Sequence, residues 1–265
     1  MPSLQHQAVQ EQFTRTAEAF SVSARRDTAE VLAQRLEFAE LAAGQRLLDV
    51  ACGPGAFVLA AAPRVRFARG LDLTAEMLRQ ASRFQQEHGI TNASFDRGDA
   101  QHLPYASGAF DVVSCQFAFH HLPNPEAAFR EMLRVAKPAG RLFIVDSVGP
   151  EDSAKAEVYD QIERLRDPSH TTTFSLAAMR GLFASKGVEI AKESVRDRAR
   201  SFNQWMLRAG AEPPEARYQA TRRAMEESIP GDRAGFSPRA SGDDLTIIHQ
   251  EGMFLVGRRG DRISH

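Results

Sequence analysis

At 265 residues and a net charge of -1, the chain is long enough for one α/β domain with a small elaboration and carries no global field to recruit nucleic acid or an anionic membrane surface. With two cysteines, a polar N-terminus and no apolar run approaching about 18 residues, it is expected to be a reduced cytoplasmic protein without an export signal or a membrane span. Arginine far outnumbers lysine among the 33 basic residues, a bias to which no function is assigned.

In chain order, a helical segment is predicted from about Gln5 to Leu41. Leu47, Leu48 and Val50 then read as a short parallel strand that breaks at Cys52-Gly53-Pro54-Gly55. The two glycines there remove the β-carbons that would hold a ligand off the backbone. An apolar helix follows, and strand, glycine-bearing loop and helix in that order open a doubly wound domain. Ala68 to Leu73 is a second apolar run, containing Asp72 and followed by Thr74. A carboxylate at the tip of the second strand of such a unit lies beside the first loop, placed to accept hydrogen bonds from both hydroxyls of a ribose. Hydrogen bonds to a charged group contribute about 1.5–3 kcal/mol each, so one side chain can fix a nucleoside.

Further strands are expected near 94–98, 111–117 and 141–147, alternating with helices. Ser175 reads as the N-cap of a helix from Leu176 to Lys186, ended by Gly187 and followed by a strand near Val188 to Ser194. Trp205, several prolines and a helical pattern from Glu215 to Ser228 mark a helical insertion. Thr246–His249 and Met253–Arg258, split by Glu251-Gly252, read as a closing hairpin at the sheet edge. The expected organisation is a single domain over 1–265: an N-terminal helical cap (1–43), a cofactor-binding core (44–197), a helical lid insertion (198–244) and closing strands (245–259).

The loop chemistry narrows the ligand. A dinucleotide pyrophosphate takes a third glycine against the helix N-terminus, but position 58 is Val. Asp49 would repel a diphosphate while favouring a cationic amino group or sulfonium. A nicotinamide-dependent oxidoreductase is therefore disfavoured, and a positively charged nucleoside is preferred.

At this point the chain resembles the class I S-adenosylmethionine-dependent methyltransferases, in particular the group that includes ubiquinone and menaquinone biosynthesis enzymes. The resemblance runs from about Phe13 to Gly187. It rests on Leu48 to Gly55, on Gly70-Leu71-Asp72-Leu73-Thr74 with Met77, and on Gly98 to Pro104. Phe110-Asp111-Val112-Val113, His120 to Pro125, Arg134 to Leu142 and Asp146 complete it. The resemblance implies a doubly wound, mostly parallel seven-stranded sheet and S-adenosyl-L-methionine as cofactor. It also implies methyl transfer to a small molecule, with the protein a monomer or homodimer.

By the same resemblance, Asp49, Ala51, Gly53 and Gly55 line the methionine and ribose, with Asp72 on the ribose hydroxyls. Leu73 and Met77 flank the adenine, Asp99 and the Ala100 backbone meet its polar edge, and the backbone at Gln116 and Phe117 holds the amino-acid end. Phe20, where relatives carry Tyr, is placed to wall the sulfonium, and Arg15 to meet the methionine carboxylate; ordinary helix packing is the competing role of both. Two positions depart from the family pattern: Ala51 stands for Gly at the loop start, and Ala139 stands for Gly in the Lys-Pro-Gly-Gly turn.

Methyl transfer is an in-line displacement at carbon, so alignment is the main contribution of the protein, and the reaction itself requires no metal. A base assists if the acceptor is a hydroxyl or an acidic carbon, as O- or C-methylation would have it. His120 and His121, after the fourth strand, and His170 are the candidates, each with a structural loop role as its alternative. Asp146, ending the fifth strand, points by topology to the same cleft, with helix capping as its competing role. Phe117, Phe119, Phe174, Trp205 and Met206 are candidates for an apolar acceptor pocket, and core packing serves each equally well. A cofactor-binding protein with a non-methylating activity remains the alternative.

Overall fold

The computed structural model describes residues 3–26 and 29–258, with side chains described for all of these except 19–29 and 258. Its centre is set by two strands whose apolar residues are fully buried, β1 (Arg46–Val50) and β4 (Phe110–Gln116). Leu47, Leu48, Val50, Val112, Val113 and Cys115 are all at most 1% exposed, as expected for parallel strands covered on both faces. β2 (Phe67–Asp72), β3 (Ala93–Arg97) and β5 (Ala136–Val148) extend the parallel sheet on either side. Helices α1 (Leu4–Arg26) and α2 (Ala29–Phe38) precede β1, in place of the one segment predicted there. Crossovers α3 (Ala56–Ala61), α4 (Ala75–Glu87) and α5 (Pro125–Val135) connect the parallel strands. The start of α5 is written in the sequence: Pro125 takes the first turn, and the Asn124 side chain accepts from Ala127 N at 2.9 Å.

Beyond β5 lie α6 (Ser153–Arg166), α7 (Leu176–Ser185) and β6 (Val188–Ser201). They are followed by α8 (Phe202–Arg208), α9 (Ala216–Ser228), β7 (Arg239–Ser241) and β8 (Asp244–Arg258). Ser175 does cap α7, accepting from Ala178 N at 3.3 Å. Helix α6 was not anticipated, although Asp152 caps it, accepting from Lys155 N at 2.9 Å. The sheet order is β3-β2-β1-β4-β5-β8-β6, seven strands, with the short β7 paired to β8. This is the doubly wound, mostly parallel sheet expected from the sequence, closed by antiparallel β8 and β6.

The closing segment differs from its reading as a hairpin. β8 is one continuous strand, and Glu251 and Gly252 lie inside it, opposite Ser147 and Asp146 of β5. Gly252 is there for close packing, not for a turn: a β-carbon would lie 2.7 Å from the Phe254 ring and 2.9 Å from Val148. The real turn is earlier, at Gly242-Asp243 between β7 and β8. β6 likewise continues past Ser194, so that β6 and β8 run together beyond the end of β5.

Two cores flank the sheet, one around Phe119, Phe129, Phe183 and Phe254, the other around Phe57, Val58, Phe143 and Leu255. A third joins α6, α8 and α9 to the tip of β8 through Tyr159, Phe202, Trp205 and Phe236. The chain winds outward in both directions from β1, which leaves a crevice above the carboxyl ends of β1 and β4, where ligands bind in open α/β sheets.

The loop after β1 depends on Gly55, which sits at φ +77° with a β-carbon position 2.8 Å from the Phe95 ring. Gly55→Ala is expected to lose about 1–3 kcal/mol of stability through backbone strain and overpacking, read as a lowered urea midpoint at unchanged m-value.

Candidate active site

The crevice is a cavity of about 280 Å³. Its floor is made where β1 and β4 end, and both strands turn through a left-handed residue that is not glycine, Ala51 at φ +55° and Phe117 at φ +52°. Such a conformation costs a side-chain-bearing residue about 1–2 kcal/mol, and paired strain at a crevice floor marks a place where backbone direction matters more than stability. Ala51 is thus a β-carbon in a glycine conformation. Ala139 is not among the left-handed residues, so its turn has no need of glycine.

Asp72 ties the floor together. One carboxylate oxygen accepts from Gly53 N at 2.8 Å and the other from Thr74 N at 2.8 Å, so the end of β2 fixes the loop after β1. Burial raises the Asp72 pKa, against the pull of these hydrogen bonds. Each oxygen retains capacity for a further donor. Asp49, buried in β1, accepts from the Ser114 hydroxyl at 2.6 Å, and burial pushes its carboxyl up to about 7. Asp99 loses some hydration by burial, yet hydrogen bonds from Gln101 N at 2.9 Å and His102 Nδ1 at 3.2 Å hold it below the usual carboxylate range. Helix α1 roofs this end: Gln10 donates to the Leu73 carbonyl at 3.2 Å and His6 lies 3.6 Å from Asp99.

On the other side of the floor, His120 stands on the short turn after β4, with Nδ1 2.5 Å from Asp146 at the end of β5. Asp146 also accepts from Phe119 N at 2.8 Å, which holds that turn, and from Ser147 N at 2.7 Å, so it caps none of the long helices. Burial alone would disfavour a charged His120, but the Asp146 carboxylate outweighs it and raises the pKa. His121 is pushed down to about 4 by burial and by the charge of His120; its ring meets Phe13 edge-on at 5.0 Å and its Nδ1 is 3.1 Å from the Ser169 hydroxyl. His170 is tied to Asp160 of α6 at 2.8 Å.

Of the residues singled out in the sequence, Asp49, Ala51, Gly53, Asp72, Leu73, Met77, Asp99, Ala100, Gln116 and Phe117 all line this one cavity, as do His120, His121 and His170. Gly55 does not line it; it packs beneath the loop against Phe95 and Ala81. The Phe20 side chain lies outside the described residues. Arg15 turns to the insertion instead, donating to the Gly210 carbonyl at 2.9 Å. Phe117 and Trp205 line the cavity, whereas Phe119 and Met206 are fully buried in cores and Phe174 packs against one, because their neighbours in sequence turn those side chains into the layers. Arg198, Arg200, His249 and Glu251 line it too and were missed. Their signal was the alternation Arg196-Asp197-Arg198-Ala199-Arg200 in a strand. No cluster of three metal-ligating side chains occurs among the described residues.

A family model described as a methyltransferase domain matches residues 48–144. The uncharacterized methyltransferase YcgJ of Bacillus subtilis is 35% identical over 181 residues, covering 68% of this chain and 72% of that protein. The chain belongs to the S-adenosylmethionine-dependent methyltransferases. The crystal structure of YcgJ superimposes with a TM-score of 0.79 at 29% identity, over 86% of this chain and 98% of that one. A putative methyltransferase of Bacillus halodurans, BH2331, gives 0.80 at 25% identity over the same shares. The ubiquinone/menaquinone biosynthesis C-methyltransferase UbiE of Pseudomonas paraeruginosa is 32% identical over 130 residues, about half of each chain. The methyltransferase fold and its cofactor, S-adenosylmethionine, replace the oxidoreductase reading. No helix among the described residues of this methyltransferase is long and apolar enough to cross a membrane.

The His120–Asp146 contact has a direct spectroscopic consequence. Asp146→Asn is expected to lower the His120 pKa, because it removes the charge that opposes desolvation; NMR titration of the ring would read the shift. An unchanged or higher value would mean that the pair is not electrostatically linked.

Proposed function

We propose that this methyltransferase methylates a small acceptor with an aromatic or apolar body, at oxygen or carbon, using His120 as a general base positioned by Asp146. The observation that carries this reading is the opening of the His120–Asp146 pair onto the same cavity as Asp49, Asp72 and Asp99. The residues present fit the cofactor. Asp72 has acceptor capacity left for ribose hydroxyls, the buried Gln116 Nε2 has no hydrogen-bond partner, and space is open above Gly53, where a β-carbon would meet nothing within 4 Å. In this arrangement Leu73 and Met77 flank the adenine, Asp99 and the Ala100 backbone take its polar edge, and the ends of β1 and β4 at Asp49, Ala51, Gln116 and Phe117 hold the methionine portion. When bound, S-adenosylmethionine supplies a methyl carbon activated by its positive sulfur.

The chain's own contribution is alignment and proton removal. Phe117 and Trp205 provide apolar walls for the acceptor. With Nδ1 engaged by Asp146, Nε2 of His120 is the ring atom that takes the acceptor's proton, and the carboxylate stabilises the resulting imidazolium. His121 and His170, bonded to Ser169 and Asp160, hold the surrounding loop.

In a labelled-methyl assay over phenols and quinols, His120→Gln is expected to lower kcat by about 10²–10⁴-fold while S-adenosylhomocysteine binds as before. Because His120 must be neutral to act and its pKa is raised, the rate should climb with pH through that value, and Asp146→Asn should move the climb to lower pH. Full activity in His120→Gln would remove the base from the mechanism.

Asp49 makes a second pH dependence. Its ionised form attracts a cation, and protonation sets in as pH falls through about 7. S-adenosylmethionine affinity is expected to weaken below that pH, by up to about tenfold per unit, and Asp49→Asn should flatten the profile at the weak end. Calorimetry across the range checks it; tighter binding at low pH would contradict the role.

A further inference from the structure

The cavity is electrically divided. Its nucleoside end presents Asp49, Asp72 and Asp99, whereas the end formed by α6, α8, β6 and β8 presents Arg166, Arg198, Arg200 and Arg208 alongside Glu163, Asp167 and Glu251. β6 is the source of the asymmetry. Arg196, Arg198 and Arg200 occupy alternate positions and therefore share one face of the strand. All three are half-buried, while the alternating Val195, Asp197 and Ala199 are exposed. The usual alternation is inverted, with guanidiniums turned inward and aliphatic side chains left in water. Guanidiniums drawn out of water carry a desolvation cost that groups inside the molecule must offset.

The register with β8 shows what shares this face. Arg196 lies opposite Glu251, Arg198 opposite His249 and Arg200 opposite Ile247. Glu251, 2% exposed, receives three guanidiniums: Arg35 at 3.2 Å, Arg196 at 3.4 Å and Arg198 at 3.1 Å. Three guanidiniums thus converge on one buried carboxylate. Among the described acids at this end, Glu163 meets Arg166 at 3.0 Å and Asp167 accepts from the Ser169 hydroxyl at 2.6 Å. His249 is 5% exposed and lines the cavity with neither ring nitrogen hydrogen-bonded; Glu163 Oε1 is 3.5 Å from Nε2. The Glu163 contact is long, so the buried imidazole still has hydrogen-bonding capacity to offer a ligand atom in the cavity. Trp205 completes the wall, with the Arg166 guanidinium 4.6 Å from its ring centre and the His249 ring at 5.3 Å.

We propose that this end of the cavity is an anion subsite, in which Arg198, Arg200 and His249 bind a carboxylate or phosphate carried by the methyl acceptor while Trp205 stacks on its apolar body. The inference rests on the acceptor lying in this cavity, as in the functional reading above, and adds its charge. Guanidinium groups meet carboxylate and phosphate through paired hydrogen bonds, and Arg198 and Arg200 line the cavity from one face of β6 beside His249. The same charge would anchor the acceptor away from the acidic cofactor end and so orient its reacting atom toward His120.

Trp205 is the only tryptophan in the chain, so its fluorescence reports on this wall alone. With the protein saturated in S-adenosylhomocysteine, benzoate and phenyl phosphate are titrated against the neutral benzamide and phenol. Saturable fluorescence changes are expected for the anions, with Kd values at least tenfold below those of the neutral probes. Whichever anion binds more tightly separates a carboxylate from a phosphate site. Arg200→Gln should weaken anion binding at least tenfold and Arg200→Lys less, while calorimetry with S-adenosylhomocysteine shows that both variants remain folded. Equal affinity for neutral and anionic probes, or no saturable response to either anion in protein that binds S-adenosylhomocysteine, overturns the proposal. If the wild-type protein does not bind S-adenosylhomocysteine, the cofactor placement itself fails and this inference falls with it.

Discussion

The arrangement of this site depends on one buried carboxylate that holds two pieces of backbone together. Asp72 bridges Gly53 N and Thr74 N across the ends of β1 and β2, so the loop after β1 and the start of α4 are fixed by the same group. Hydrogen bonds of this charge-assisted kind are roughly twice as strong as neutral ones. They oppose the upward push that burial gives its pKa, and each oxygen retains capacity for a further donor. The loop therefore reaches its binding conformation by folding, and the ligand need not supply the ordering.

Around that anchor the molecule tolerates local cost in exchange for direction. Ala51 and Phe117 both adopt left-handed backbone at the ends of the two central strands, and both sit on the cavity floor. The rigidity of β1 and β4, buried on both faces, is what can impose such conformations. The His120–Asp146 pair follows the same logic one strand further along, because the turn that carries His120 is held by the carboxylate that also polarises its ring. Geometry and protonation are thus set by one interaction.

Much of this was legible in the sequence. The parallel strands, the loop at Gly53 and the carboxylate of Asp72 were readable because continuous apolar runs and glycine placement are local signals. Ser175 announced a helix start for the same reason. What could not be read was long-range. Glu251-Gly252 looks like a turn until Phe254 and Val148 are known to press on the glycine and three arginines on the glutamate. The arginine alternation in β6 was visible, but its inward direction depends on a pairing with β8 that no local pattern specifies. Phe119 and Met206 show the converse: aromatic and sulfur side chains near a site are core residues or pocket walls according to a rotation that only packing decides.

The division of the cavity into an acidic and a basic end gives the methyltransferase fold here a particular polarity. In the reading proposed above, the acidic end takes the cationic cofactor and the arginine end takes an anion carried by the acceptor. The most direct test of this layout is a crystal structure with S-adenosylhomocysteine. The ribose hydroxyls are expected within about 3 Å of the Asp72 carboxylate, with the sulfur facing His120. A ribose held elsewhere, or an adenine at the arginine end, would contradict it.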